Sequence, residues 1–263
     1  MTTNATPRGA LILVPNTLDF GIAADAPEIG DVLPMSVLRT AARLTHWVAE
    51  NAKTTRAFLK RVDAVVPLAL PLQALSIIEL PRPQKGVRTA PAADLAALLA
   101  PALDGVDLGL ISEAGLPAVA DPGAALVQAA HAAGIRVSAL PGPSSLLLAL
   151  AASGLNGQSF AFVGYLPVEA AERGARIREL EALSRRANQT QLMIETPYRN
   201  AALLGALLAH LQGGTMLSVS CGLTMPSAFT RSGTVQQWKA TPTQLSTDVP
   251  AVFSILAVNT LAR

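Results

Sequence analysis

Two short apolar runs, each followed by a turn rich in glycine and proline, constrain the fold of this chain more than any other feature. The first run, Leu108–Ile111, leads into a turn over residues 112–123, and the second ends at Leu140 and leads into a turn over 141–145. Each pattern is typical of a strand that feeds a helix, and open α/β folds bind small ligands at such turns. The sequence therefore predicts an α/β fold with a site for a nucleotide-like ligand at this edge.

Strands and helices alternate along the first half of the chain, as in a doubly wound parallel sheet. The apolar patterns predict strands over 10–14, 47–49, 75–80, 108–111 and 137–140, with helices over 37–44, 54–61, 92–102 and 124–133. A second set of strands is predicted over 160–163, 192–194, 217–220 and 251–256, with helices over 144–152, 172–183 and 200–211. We expect two domains, 1–141 and 142–263, with the ligand where the two sheets face each other.

The composition excludes several classes of protein. The 263 residues are 51% hydrophobic and carry a formal net charge of +2, which is typical of a compact α/β enzyme and does not demand non-specific nucleic-acid binding. The single cysteine, Cys221, excludes an intrachain disulfide, and no cluster of His and Cys predicts a metal site. The N-terminus lacks the pattern of a signal peptide, and the apolar stretches are too short or interrupted to span a membrane, so we expect a cytoplasmic protein.

Charged side chains follow two of the predicted strands. Glu50 follows the strand over 47–49 with Arg56 close behind, and Glu195 follows the strand over 192–194 with Arg199 close behind. A carboxylate and a guanidinium at a strand end are suited to holding a substrate. Helix capping is the alternative for the first cluster, and a surface ion pair is the alternative for the second.

The two turns carry their own alternatives. Ser144 and Ser145 either cap the helix that they open or bind the polar edge of a ligand. The turn over 112–123 is either a ligand loop or an ordinary connection between a strand and a helix. The sequence contains no Walker motif and no GxGxxG, so ATP and NAD are poorly supported.

Six motifs occur in order along nearly the whole chain. They are Val48-Ala49-Glu50-Asn51 with Thr55-Arg56, Ile111 to Pro117, Asp121-Pro122-Gly123, Leu140 to Ser145 with Ala151 to Leu155, Phe162 to Pro167, and Glu195 to Arg199. In this order the chain resembles the tetrapyrrole methylase superfamily of S-adenosylmethionine-dependent methyltransferases. Within it the chain is most similar to the branch that methylates the ribose 2′-oxygen of a cytidine in small-subunit ribosomal RNA.

The resemblance implies a fold and a cofactor site. The fold is a two-domain tetrapyrrole methylase-like α/β fold, with a parallel-sheet N-terminal domain, a mixed-sheet C-terminal domain and S-adenosylmethionine in the cleft between them, usually in a homodimer. The cofactor is expected to be lined by residues of both turns, with two apolar residues of the second half against its adenine. These residues are Gly115, Leu116, Pro117, Asp121, Ser144 and Ser145 from the turns, and Leu166 and Met193 for the adenine.

The resemblance also implies a substrate side. Glu50, Arg56, Glu195 and Arg199 are expected to face the acceptor, with either glutamate as the base and the two arginines holding an anionic substrate. Ribosomal RNA is the first expectation for the acceptor. The alternatives are a divergent paralogue that methylates another nucleotide, a tetrapyrrole or a small molecule, and a non-catalytic protein that binds S-adenosylmethionine.

The departures from the family pattern concentrate on that side. Residues 14–18 replace the usual Thr-Pro-Ile-Gly-Asn, and a longer segment over 19–30 follows, whose position relative to the cleft the sequence leaves open. Asn51-Ala52-Lys53 replaces Asp-Thr-Arg, and Tyr198 stands where the family has histidine. Residues 221–228 replace a late Arg-Glu-Leu-Thr-Lys signature and lack its charged side chains. Features of the cofactor side are therefore better preserved than features of the substrate side.

Overall fold

A computed structural model describes residues 7–19, 26–81 and 92–257. The chain divides into two compact units, 1–144 and 145–263. This division lies within the turn over 141–145, in which the domain boundary is predicted. Within the described ranges, no helix has both the length and the apolar character needed to cross a membrane.

The first unit contains a five-stranded parallel sheet. Its strands are β1 (Ala10–Leu13), β2 (His46–Ala49), β3 (Ser76–Glu79), β4 (Leu108–Ile111) and β5 (Arg136–Ala139), in the spatial order β3-β2-β4-β1-β5. Its helices are α1 (Ile29–Val32), α2 (Met35–Arg43), α3 (Ala52–Asp63), α4 (Ala92–Leu98), α5 (Ala100–Leu103) and α6 (Ala124–Ala132). The predicted parallel sheet is confirmed.

The three central strands of the first unit's sheet, β1, β2 and β4, are buried on both faces. Ile12 and Trp47 pack in one core cluster with α2 and α3, whereas Leu11 and Leu110 pack in a second cluster with α4 and α6. This double burial explains why the strands are continuous apolar runs instead of alternating patterns. The helix predicted over 92–102 is wrong in one respect, because it is two helices, α4 and α5, with Pro101 in the first turn of α5. Proline starts a helix readily but disrupts a helix interior.

The second unit contains a five-stranded mixed sheet, as predicted. Its strands are β6 (Phe160–Tyr165), β7 (Thr190–Glu195), β8 (Met216–Cys221), β9 (Phe229–Thr234) and β10 (Ala251–Leu256), in the order β6-β7-β10-β8-β9. Strand β6 runs parallel to β7, and the other pairs are antiparallel. Its helices are α7 (Ser145–Ser153), α8 (Ala170–Ala187), α9 (Asn200–His210) and α10 (Val235–Ala240).

Strand β9 and helix α10 were not predicted from the sequence. Strand β9 lies at the edge of the sheet and reads Phe-Thr-Arg-Ser-Gly-Thr, so it lacks the apolar run that marks a buried strand. Helix α10 has only six residues, and it is stabilised at its start by a capping box in which Thr234 and Gln237 bind each other's main chain. Pairing with β8 stabilises β9, and the capping box stabilises α10. Neither element therefore needs the apolar pattern from which a strand or helix is predicted.

Candidate functional site

Among the described residues of the first unit, the turn over 112–123 is the most strained segment. It connects β4 to α6 and has four residues with positive φ: Gly115 at 65°, Ala118 at 66°, Ala120 at 65° and Gly123 at 130°. A residue with a Cβ in the left-handed region costs roughly 1–2 kcal/mol, and such strain concentrates at functional sites. The turn therefore has a strained backbone conformation. This favours its interpretation as a ligand-binding loop over an ordinary connection between a strand and a helix.

Asn16 ties this turn to the end of β1. Its amide nitrogen donates to the Gly115 carbonyl over 2.8 Å, and its Nδ2 donates to the Ser112 and Glu113 carbonyls over 3.1 and 3.0 Å. The Gly115 amide donates to the Thr17 carbonyl over a longer 3.4 Å. Sequence reasoning noted residues 14–18 only as a departure and missed Asn16 as an organiser of the site. The available signal was a polar residue in the loop that follows a buried strand.

The amides on either side of Gly115 are free to bind a ligand. Neither the Ala114 nor the Leu116 N–H donates a hydrogen bond to any atom of the described chain. Buried main-chain N–H groups are almost always paired in native proteins, so a pair of unpaired amides in a half-buried turn is suited to donating hydrogen bonds to an acceptor atom of a ligand. Leu116 is half-buried and Pro117 is buried, which gives this surface an apolar border.

Three carboxyl groups meet beside the turn. The Glu50 carboxylate follows β2 and accepts a hydrogen bond from the Glu113 amide over 2.9 Å. Burial raises the pKa of Glu50, and this hydrogen bond offsets part of the rise. Burial, together with the neighbouring charges of Glu50 and Glu113, raises the pKa of Asp121 to about 6, although a hydrogen bond from Ser112 opposes the rise. The structure thus brings Glu50 and Asp121 together and adds Glu113, which sequence reasoning did not single out.

The Asp121 carboxyl should make the stability of the protein depend on pH. Its ordinary pKa is 3.8 and its folded pKa is about 6, so the folded state binds the proton more tightly and stability falls as the pH rises from about 4 to about 6. Asp121→Asn should remove this cost and stabilise the protein at neutral pH by on the order of 1 kcal/mol, because Asp121 is only half-buried and solvent screens part of the charge.

Urea denaturation of both proteins near pH 4 and near pH 7.5 measures this effect. We expect the two curves to coincide at the lower pH and to separate at the higher one. Asp104→Asn, in the exposed turn before β4, is the matched control, because it makes the same substitution at an exposed position. An Asp121→Asn protein that is no more stable than wild type at pH 7.5 would contradict the raised pKa of Asp121.

Arg61 contacts the longer segment over 19–30 at two positions, Asp19 and Pro27. Its guanidinium lies 3.1 Å from the Asp19 carboxylate, whose side chain is fully buried, and it also donates to the Pro27 carbonyl over 3.1 Å. The Thr17 hydroxyl donates to the same carboxylate over 2.7 Å. Residues 20–25 lie outside the described residues. Neither Asp19 nor Arg61 was singled out from the sequence, because they are 42 positions apart.

The remaining predicted residues of the first unit occupy separate positions. Arg56 is exposed on α3 and donates to the Ala52 carbonyl of its own helix, so the structure does not pair it with Glu50. Ser144 is buried at the end of the turn, and Ser145 is the half-buried first residue of α7. Asn51 caps α3 by accepting from the Lys53 and Thr54 amides, which bears out the capping interpretation for part of the Glu50 cluster.

In the second unit, Glu195 and Arg199 form a close ion pair. Their nearest side-chain atoms are 2.5 Å apart, and the Glu195 side chain is 4% exposed and Arg199 26%. Glu195 also accepts from the Thr196 amide over 2.7 Å, and its carboxylate raises the pKa of Arg199. The predicted alternative of an ion pair describes this contact, but the pair is largely buried instead of lying on the surface. Their role toward a substrate stays a prediction.

Leu166 and Met193 belong to the hydrophobic core of the second unit. Both side chains are buried in the same cluster, Leu166 directly after β6 and Met193 within β7.

Burial also raises the pKa of Cys221 to about 11, so its thiol is protonated near neutral pH and is not a nucleophile. In the loop after it, Thr224 has a φ of 71° and a buried hydroxyl without a hydrogen-bond partner. A β-branched residue with this φ is an outlier, so this loop is also strained.

Metal ligation is not supported by the described residues. No group of three or more His, Cys, Asp or Glu side chains in the described ranges has the arrangement of a metal site. The carboxyl groups of Glu50, Glu113 and Asp121 are near enough to repel one another but do not form a ligand set.

Comparison with known proteins identifies the family. A family model described as tetrapyrrole (corrin/porphyrin) methylases matches residues 38–238. The chain belongs to this methylase family. A ribosomal RNA small subunit methyltransferase I from Xylella fastidiosa is 34% identical over 207 residues, which cover 78% of this chain and 67% of that protein. The protein of the same name from Mesorhizobium japonicum is 40% identical over 139 residues, 53% of this chain and 46% of that protein, so this match spans about half of the relative.

Solved structures agree on the fold of the family. The methyltransferase CobJ has a TM-score of 0.56 at 18% identity, with 95% of this chain and 94% of that chain covered. A uroporphyrin-III C-methyl transferase from Thermus thermophilus, complexed with S-adenyl homocysteine, has a TM-score of 0.53 at 17% identity, with 94% and 97% covered. The tetrapyrrole methylase fold expected from the sequence is therefore confirmed.

Proposed function

We propose that this methylase family member transfers a methyl group from S-adenosylmethionine to ribosomal RNA, at a ribose 2′-oxygen. The observation that carries the cofactor is the strained turn over 112–123, in which the Ala114 and Leu116 amides are unpaired beside a glycine. The relatives named as ribosomal RNA methyltransferases support the acceptor. We also propose that the protein is a homodimer, as the family resemblance implies, and that it is cytoplasmic, which an acceptor in ribosomal RNA favours.

The residues of the turn fit a nucleoside cofactor that carries a positive charge. The two free amides are suited to a neutral or anionic oxygen, and the half-buried Asp121 and Glu50 carboxyls provide a negative field that favours a cation. Gly115 allows main-chain atoms to approach a ligand closely. We place the cofactor against Gly115, Leu116, Pro117, Asp121, Ser144 and Ser145. When bound, the sulfonium supplies an electrophilic methyl group.

Leu166 and Met193 remain the proposed contacts for the adenine. Both side chains are buried in the core, Met193 fully. Such a contact would therefore involve the small exposed part of the Leu166 side chain and the main chain near Met193. This is a narrower role than the sequence suggested. Their packing makes the position of that main chain rigid.

Glu50 is the better candidate for the base. The transfer forms an oxygen–carbon bond, breaks a sulfur–carbon bond, and leaves the hydroxyl proton to be accepted by a base. The pKa of Glu50 is raised by burial, so it takes up a proton more readily than an exposed carboxylate. The Glu195 carboxylate instead binds the Arg199 guanidinium and accepts a hydrogen bond from the Thr196 amide. We therefore assign Glu195 and Arg199 to positioning the acceptor. Arg56 is exposed and available to an RNA phosphate.

Purified protein tests the proposal in two steps. Isothermal titration with S-adenosylhomocysteine should give saturable binding, and tritiated S-adenosylmethionine should label small-subunit ribosomal RNA. Absence of binding would refute the cofactor site. Binding without labelling of the RNA would favour the alternatives, a different acceptor or a non-catalytic protein. The substituted loop over 221–228, which lacks the charged pattern of the family, is the observation that keeps these alternatives open.

A further inference from the structure

Helix α3 carries three cations on its outward side. Its inner face, Thr55, Phe58, Leu59 and Val62, is buried, which fixes the orientation of the helix. Lys53, Arg56 and Lys60 are exposed, and their spacing of three and four residues places them within an arc of about 60°. We call these three residues the α3 basic face.

The cations of the α3 basic face have no acidic partner. Within the described ranges, neither Lys53 nor Lys60 takes part in a salt bridge or a side-chain hydrogen bond, and Arg56 contacts only the Ala52 carbonyl. The one carboxylate of the helix, Asp63, accepts from the Leu68 amide, and Glu79 accepts from the Ala52 amide. The positive charges of Lys53, Arg56 and Lys60 are therefore available to an external anion.

Other arginines of the chain are used within the fold. Salt bridges hold Arg43 to Asp107, Arg61 to Asp19, Arg176 to Glu179, Arg185 to Glu181 and Arg199 to Glu195. Unpaired cations elsewhere in the described chain are dispersed, as with Arg186 in α8 and Lys239 in α10. Among the described residues, a cluster of three unpaired cations on one helix face is thus found on α3.

The α3 basic face begins beside the candidate site. Helix α3 starts directly after Glu50 and Asn51, at the carboxyl end of β2, and Glu50 binds the Glu113 amide in the strained turn. From Lys53 to Lys60 the helix rises by about 10 Å, which is long enough to follow more than one phosphate of a nucleic-acid strand. The Asn51 side chain already caps the first amides, so the side-chain cations, not the helix end, would bind the anion.

We propose that the α3 basic face binds phosphates of the RNA strand that carries the methylated nucleotide. This inference rests on the proposed function and adds Lys53 and Lys60 to the residues that the sequence indicated. Lysines that contact phosphates release condensed counterions, so they contribute affinity that falls with salt and does not depend on base sequence. They position the strand, whereas the groups near Glu50 act on the nucleotide.

The double variant Lys53→Gln and Lys60→Gln tests the proposal. Affinity for protein-free small-subunit ribosomal RNA and for a mixed-sequence single-stranded RNA is measured over a series of salt concentrations. We expect a roughly ten-fold loss of affinity at low salt for both RNAs, and a decrease of about 1.4–2 in the slope of log affinity against log salt. The matched control, Arg186→Gln with Lys239→Gln, removes the same charge from exposed positions outside α3 and should retain the wild-type slope.

S-adenosylhomocysteine titration of each variant separates the two proposals. Unchanged cofactor binding with a lower salt slope in the α3 variant alone supports the inference. Equal slopes in the α3 variant and wild type would overturn it while leaving the cofactor site standing. Equal losses in the α3 variant and the control would also overturn it, because net charge alone would then explain the binding. Wild-type protein that binds S-adenosylhomocysteine but neither RNA would indicate a partner other than RNA for this face.

Discussion

Gly115→Val should lower the affinity for S-adenosylhomocysteine by about 100-fold, since a misfit of 2–3 kcal/mol at a binding surface has this effect. Gly115 has a φ of 65°, which a β-branched residue rarely adopts, and a new Cβ would lie 3.3 Å from the Leu18 side chain. We expect the turn to move, taking the free Ala114 and Leu116 amides with it. Isothermal titration measures the affinity, and circular dichroism reports whether the fold is retained.

Gly154→Val is the matched control for the strain itself. Gly154 ends α7 with a φ of 69°, and a Cβ there would meet no atom within 4 Å. Both variants should therefore lose similar stability from the backbone, but only Gly115→Val should lose ligand binding. Wild-type affinity in a folded Gly115→Val protein would show that the turn over 112–123 does not hold the cofactor.

Arg61→Met should destabilise the protein by about 3 kcal/mol, because it takes the cation away from a buried carboxylate. Asp19 has a fully buried side chain, and Arg61, 27% exposed, also holds the Pro27 carbonyl. Its loss would release both ends of the segment over 19–30. Guanidinium denaturation measures the free energy of unfolding, and limited proteolysis tests whether cleavage increases within that segment.

A second substitution separates the charge from the packing. In the double variant Asp19→Asn and Arg61→Met, the carboxylate no longer needs its cation, so part of the lost stability should return. Arg43→Met breaks the exposed pair with Asp107, whose side chains are 54% and 25% exposed, and should cost less than about 1 kcal/mol. Equal effects of Arg61→Met and Arg43→Met would mean that the Asp19 pair has no special role.

The strained turn was the most accurate part of the sequence prediction. Two prolines and two glycines within 112–123 indicated fixed backbone angles, and the structure has positive φ at both glycines. It also has positive φ at Ala118 and Ala120, which sequence reasoning could not predict because alanine carries no signal for that conformation. Neighbouring hydrogen bonds, such as that between the Ala118 amide and the Pro122 carbonyl, hold the turn in place.

The predicted site residues divide according to what surrounds them. Glu50 and Asp121 come together because both follow the carboxyl ends of adjacent parallel strands, β2 and β4, a relation that strand pairing makes predictable. Arg56 instead points to solvent on α3, because the helix buries its opposite face. The extent to which Glu195 and Arg199 are buried followed from the packing of the second unit and not from their spacing.

The sequence alone determined the parallel sheet and the turn over 112–123, because apolar runs, glycine and proline act over short distances along the chain. Its ordered motifs carried the family resemblance, and the mixed sheet was expected from that resemblance. Only the tertiary structure decided that Arg61 binds Asp19, that Asn16 holds the turn, and that β9 completes the second sheet. These features depend on contacts between residues far apart in sequence, whose energies arise from burial and hydrogen bonding once the chain has folded. A local sequence pattern does not predict such contacts.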